Sequence, residues 1–85
     1  MEFITESNRI ICLDNGKQVG EVTFPETSAG AFDINHTFVD PSMQGKGIAA
    51  ELVRRAIEEI KSRNGKLTAS CSYAQRYIEK NNISL

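Results

Sequence analysis

Val39-Asp-Pro-Ser-Met-Gln-Gly-Lys-Gly-Ile-Ala-Ala-Glu-Leu-Val53 is the stretch on which the fold turns. An apolar run stops at Asp40-Pro41, passes through Gly45, Lys46 and Gly47, and resumes with a different period. Proline has no N–H to donate and restrains the residue before it, so Asp40-Pro41 ends a strand. Downstream, Ile48, Ala49, Leu52, Val53, Ala56, Ile57 and Ile60 recur at helical spacing. Glu51/Arg55, Arg54/Glu58 and Glu59/Arg63 add opposite charges four residues apart. Asn64-Gly65 closes the helix. The turn at its head leaves backbone N–H groups without acceptors at the positive end of the helix dipole, which suits an oxyanion such as phosphate. The same glycines also serve a plain sharp turn, so both readings stand at this point.

Working outward, Arg9-Ile-Ile-Cys-Leu13 and Val19-Gly-Glu-Val-Thr-Phe24 are rich in strand formers. They flank Asp14-Asn-Gly-Lys17, where Asn15-Gly16 supplies the two positive φ angles of a type I′ hairpin turn. After the turn-rich residues 25–30, residues 31–39 form one more strand, and three consecutive strands make a meander. Residues 66–72 alternate Leu67, Ala69 and Cys71 against Thr68, Ser70 and Ser72. They read as a strand entered from the helix, which calls for a right-handed crossover and parallel pairing. Ser72-Tyr-Ala-Gln75 has the capping-box pattern, with Ser72 as N-cap of a last helix that Asn81-Asn82 ends. Residues 83–85 are too few to assign. The expected fold class is α+β: an antiparallel meander, a parallel β-α-β unit and a C-terminal helix.

The chain has 85 residues with 40% hydrophobic and 25% charged content, enough for one modest core and a single domain spanning residues 1–85. A net charge of -1 recruits neither nucleic acid nor an anionic membrane. No apolar run is long enough to span a bilayer and no signal pattern opens the chain, so a cytoplasmic location is expected. One histidine with two cysteines, Cys12 and Cys71, far apart provides no zinc set, so no metal is expected.

Three phosphate carriers compete for the glycine turn. Gly45-Lys-Gly-Ile-Ala-Ala50 has the form GxGxxA, but the dinucleotide fingerprint needs an acid about 20 residues on, and residues 65–70 contain none. GxxxxGK followed by Ser or Thr, the nucleotide P-loop, does not occur. Gln44-Gly-Lys-Gly-Ile-Ala49, after a strand and at the head of an amphipathic helix, resembles the acetyl-CoA motif (Gln/Arg-x-x-Gly-x-Gly/Ala) of the GNAT family of N-acetyltransferases. Asn35-His-Thr-Phe-Val-Asp-Pro41 and Cys71-Ser-Tyr73 resemble that family's small single-domain branch.

The resemblance implies that backbone N–H groups of Gln44, Gly45, Lys46, Gly47, Ile48 and Ala49 hold the coenzyme pyrophosphate. It also implies that the main chain of Thr37, Phe38 and Val39 pairs with the pantetheine arm and polarises the thioester, where strands 31–39 and 66–72 splay apart. Larger members carry Asn-x-x-Ala-x-x-x-Tyr at the last helix, the tyrosine protonating the departing thiolate. Cys71, Ala74 and Ile78 stand in those places here, and Tyr77 is one position off, so neither it nor Tyr73 inherits the role.

Two side chains keep open readings. Cys71 is either an inert small hydrophobe or, before a helix start that favours the thiolate, the acceptor of the acetyl group, a cysteine at this point being characteristic of the small branch. His36 is either a hydrogen-bonded core residue on the face of Phe32, Ile34 and Phe38, or a general base for the attacking amine or for Cys71. A tight turn at Asn15-Gly16 replaces the helices that wall off the acceptor in the family. The expected partners are therefore acetyl-CoA and an amine on a protein or small molecule, with the chain a monomer or weak dimer. The alternatives are a coenzyme A-binding sensor or interaction module without turnover, and a redox thiol at Cys71.

Overall fold

The computed structural model describes residues 1–84. The elements run β1 (Glu2–Glu6), β2 (Arg9–Asp14), β3 (Lys17–Thr23), β4 (Glu26–Ser28), β5 (Ala31–Ile34), β6 (His36–Val39), α1 (Ile48–Ser62), β7 (Lys66–Ala69) and α2 (Ser72–Lys80), with a 3-10 turn at Pro41–Met43. One sheet has the order β1-β2-β3-β6, all antiparallel, and the other has the order β4-β5-β7, with β5 and β7 parallel. The α+β class and the parallel crossover through α1 are as the sequence implies. At the hairpin, Asn15 and Gly16 have φ of 52° and 79°, and Asp14 pairs with Lys17.

The core forms where the apolar stripe of α1 lies on the sheet. Leu52, Val53, Ala56 and Ile60 are inaccessible to solvent, as are Val22 and Cys12 beneath them. The helix crosses β3 at Gly20, where a Cβ would stand 3.1 Å from Leu52 Cδ1 and 3.2 Å from the Phe38 carbonyl oxygen. A glycine there lets helix and sheet close without a gap. All three i,i+4 pairs form, with Arg55–Glu51 at 2.6 Å, Arg54–Glu58 at 2.9 Å and Arg63–Glu59 at 2.8 Å. Arg63 also donates to Asn8 Oδ1 and the Ser7 carbonyl, tying the end of α1 to the β1–β2 turn.

Four local expectations change. First, β1 extends the meander on its outer edge, where its sequence, with charged residues at both ends, carries a weak strand pattern. Second, residues 25–30 are not all turn, because Glu26–Ser28 forms β4 against β5. Third, residues 31–39 are not one uniform strand but break at Asn35. The Ile34 carbonyl accepts from both Ser70 and Cys71 N–H at 3.1 Å, and the Asn35 N–H turns to the Thr23 carbonyl. The alternation slips there: Phe32 and Ile34 are buried, while beyond the break Thr37 and Val39 face inward and His36 and Phe38 are exposed. His36 therefore does not share the core face of Phe32 and Ile34. Fourth, the N-cap of α2 is Cys71, not Ser72, and Gln75 reaches back to the Ala69 carbonyl at 2.9 Å instead of closing a capping box. Strand β7 thus ends at Ala69, short of residue 72.

Among the described residues no helix is long and apolar enough to cross a membrane. No group of His, Cys, Asp and Glu among them could hold a metal ion.

Candidate functional site

The break at Asn35 makes the site. Up to Ile34 and Ala69, β5 and β7 are paired in register, and Asp33 fastens them by accepting from the Thr68 hydroxyl at 2.7 Å and from the Ser70 hydroxyl. Beyond that point β6 pairs only with β3, and β7 gives way to α2. A slot opens between the unpaired edge of β6 (residues 36–39) and the start of α2. Thr37 and Cys71 face each other across it, the thiol donating to Thr37 Oγ1 at 3.7 Å.

At the other end of the slot is the turn between β6 and α1. Gly45 and Gly47 both lie in the left-handed region, with φ of 80° and 77°, and Gly47 is the N-cap of α1. No side chain caps this helix. The N–H groups of Gly45, Lys46 and Gly47 donate to no acceptor among the described residues. Ile48 and Ala49, as the first helical residues, have no acceptor within the helix. Gln44 differs: its N–H is taken by the Pro41 carbonyl at 3.4 Å, and its side chain donates to the Val39 carbonyl at 3.3 Å, bracing the turn against β6. A cavity of about 240 Å³ lies over the turn, with Val39, Met43, Gly45, Gly47, Ile48 and Tyr73 among its walls.

The electrostatics favour anions in two places. At the turn, Lys46 is exposed, and the one carboxylate in the first turn of α1, Glu51, is bound by Arg54 and Arg55, which hold its pKa down to about 2. At the slot, burial alone would push the Cys71 thiol up. The Ala74 N–H, the Thr37 hydroxyl and the N–H groups of Tyr73 and Thr37 outweigh burial and bring it below the ordinary thiol value. Those amides do not close a capping bond on the neutral side chain, so their effect falls on the thiolate. Cys12 is the opposite case, buried on β2 and pushed up by that burial. Burial likewise raises the Tyr73 phenol, with Tyr77 adding to it, so Tyr73 stays protonated beside the cavity.

The pH profile of alkylation checks this contrast. Iodoacetamide is expected to modify Cys71 before Cys12, with a midpoint below that of a free cysteine. Thr37→Val should move the midpoint up by removing a donor to the thiolate. A midpoint equal to free cysteine in both proteins would contradict the geometry.

Val39, Gln44, Gly45, Gly47, Ile48 and Ala49 thus line the cavity over the turn, while Thr37 and Cys71 meet each other where β6 and the start of α2 part. Phe38 is left 47% exposed on the outer face, with exposed His36 one step away on the same face. Thr37, not His36, is the partner of Cys71. The Thr37 hydroxyl and the Tyr73 wall of the cavity are features the sequence reading lacks, because both depend on the pairing of distant segments.

Residues 9–84 match the family described as GCN5-related N-acetyl-transferase. The chain belongs to that family. As a GCN5-related N-acetyltransferase domain it superposes on a GCN5-like protein of Staphylococcus aureus with a TM-score of 0.75 and 27% identity, over 95% of this chain and 80% of that one. A Brucella melitensis ribosomal-protein-alanine N-acetyltransferase aligns at TM-score 0.66 and 25% identity, over 86% of this chain and 61% of that one. A Mycobacterium tuberculosis protein crystallised in complex with CoA shares the GNAT fold at TM-score 0.75 and 18% identity, over 88% of this chain and 47% of that one. The curated Protein NATD1 of Xenopus tropicalis is 33% identical over 49 residues, 58% of this chain and 45% of its own length. The chain therefore spans less than half the length of this curated relative.

Proposed function

We propose that this domain binds acetyl-CoA and transfers the acetyl group to a primary amine. The observation that carries the reading is the slot: free amides at the Gly45–Gly47 turn at one end, the unpaired β6 edge along it, and at the other a thiol that neighbouring donors hold below its ordinary value. A pyrophosphate suits the turn, where N–H donors and the helix dipole act together. The extended pantetheine arm suits the β6 edge, whose main-chain groups supply both hydrogen bonds along the arm and a donor to the thioester oxygen.

In the direct route the neutral amine attacks the carbonyl carbon, the C–S bond breaks, and the departing thiolate takes up a proton. In the covalent route the Cys71 thiolate attacks first, forming an acetyl-cysteine thioester and releasing coenzyme A thiolate. The amine then displaces Cys71, and the amine proton passes to solvent or base. His36, exposed one residue from Thr37 and not in contact with Cys71, is in this reading the base for an amine arriving on the outer face. The thiol flanked by donors favours the covalent route, and the Cys-Ser-Tyr motif of the small single-domain branch agrees with it.

A second reading, a coenzyme A-binding module without turnover, is favoured by the tight β2–β3 hairpin, which leaves the acceptor side without the usual helices. Mass spectrometry after mixing with acetyl-CoA, followed by an amine panel, decides. An acetyl adduct on Cys71 that is discharged by an amine is the expected result. Acetylated amine with Cys71→Ala at wild-type rate selects direct attack, and coenzyme binding with no acetylation of protein or amine selects the module.

A further inference from the structure

Tyr73, a wall of the cavity over the α1 turn, has a second hollow beside it. This cleft, of about 490 Å³, is lined by Ala50, Tyr73, Arg76, Tyr77, Lys80 and Asn81. Ala50 and Tyr73 line both, so the two lie side by side across the first turn of α1. The lining follows from helical spacing. Tyr73, Arg76, Tyr77 and Lys80 stand at i, i+3, i+4 and i+7 and form one stripe along α2. The small Ala50 side chain leaves the space they face.

Arg76 differs from the other arginines. Arg9, Arg54, Arg55 and Arg63 are each bonded to a glutamate. Among the described residues Arg76 and Lys80 contact no carboxylate, and no acidic residue lines their cleft. The neighbouring Glu79 lines a different cleft with Ala69 and Ile78. Two cations that alternate with two phenol rings along the stripe suit a phosphate carried next to an aromatic base.

We propose that Arg76 and Lys80 bind the ribose 3′-phosphate of coenzyme A, with Tyr77 against the adenosine. The proposal rests on the coenzyme reading of the Gly45–Gly47 turn and adds to it the group that distinguishes this coenzyme from its dephospho form. The chain direction agrees. Helix α2 runs from Cys71 at the thioester end of the slot to Lys80, so the stripe leads away from the reacting carbon, as the nucleotide end of the coenzyme must. The adjoining clefts put the cations next to the pyrophosphate site, within reach of the ribose that follows it.

Calorimetric titration with coenzyme A and with dephospho-coenzyme A, which lacks only that phosphate, tests it. The wild type is expected to bind coenzyme A about 10-fold tighter than the dephospho form, the scale of two exposed charge-assisted contacts. In an Arg76→Ala/Lys80→Ala variant the ratio should fall to about 1, and in Arg76→Glu the preference should shrink or invert. Raising the salt should compress the wild-type ratio. Equal wild-type affinities, or a ratio that survives the double substitution, would overturn the assignment while leaving the turn as a coenzyme site. Binding of neither form would overturn both.

Discussion

Phe24→Ala is expected to lower the free energy of unfolding by about 3–5 kcal/mol. Phe24 lies just past β3 and is fully inaccessible. The Arg63 guanidinium sits 5.6 Å from its ring centroid and 5.5 Å from that of Phe32, closing the core at the end of α1. Truncation would leave a cavity under a guanidinium held by Glu59, Asn8 and the Ser7 carbonyl, which cannot readily collapse into it. A domain of this length has about 4–13 kcal/mol of stability in all, so the variant should sit near its folding limit at 37 °C. Urea denaturation should show a lower midpoint with an unchanged slope. Phe38→Ala, at a ring 47% exposed on the outer face, should cost far less. Comparable losses at the two positions would contradict the packing described.

The contrast between those two phenylalanines also shows what could be read from the sequence. Periodicity located α1, its buried stripe and its three ion pairs, because helical contacts repeat at short range and each residue announces its neighbours. The Asn15-Gly16 turn was legible for the same reason, since its positive φ values are a property of those two residues. The break at Asn35 was not. Residues 31–39 keep a strand-like composition throughout, and the slip in alternation is imposed by two different partners, β7 before it and β3 after it. Hence strand alternation puts His36 and Phe38 on the core face, and the fold exposes both on the outer one. Cys71 stands at the mouth of a helix, as the sequence implies, but the cap falls one residue earlier than Ser72, where the Ile34 carbonyl captures both the Ser70 and Cys71 N–H groups. Thr37 as the partner of Cys71, across 34 positions, required the tertiary register.

The glycine turn is the feature on which function depends, and its second glycine offers the largest expected effect on binding. Gly47 has φ of 77°, and the space around a Cβ there is open. A Cβ would meet no protein atom within 4 Å, and it would stand beside amides that have no acceptor of their own. Gly47→Glu should therefore place a carboxylate beside the anion site, and like charges at such separations cost about 1–4 kcal/mol. Adding the strain of a non-glycine residue in the left-handed region, the loss in acetyl-CoA affinity should reach about 100-fold. Gly47→Asn is the matched comparison. Asparagine tolerates this conformation better and is neutral, so it should lose much less.

Isothermal titration of acetyl-CoA into wild type, Gly47→Asn and Gly47→Glu, each confirmed folded by circular dichroism, tests the coenzyme site most directly. Saturable one-to-one binding that weakens modestly with asparagine and about 100-fold with glutamate is the predicted result. Wild-type protein that takes up no acetyl-CoA, or a glutamate variant that binds it as tightly as wild type, would contradict the account.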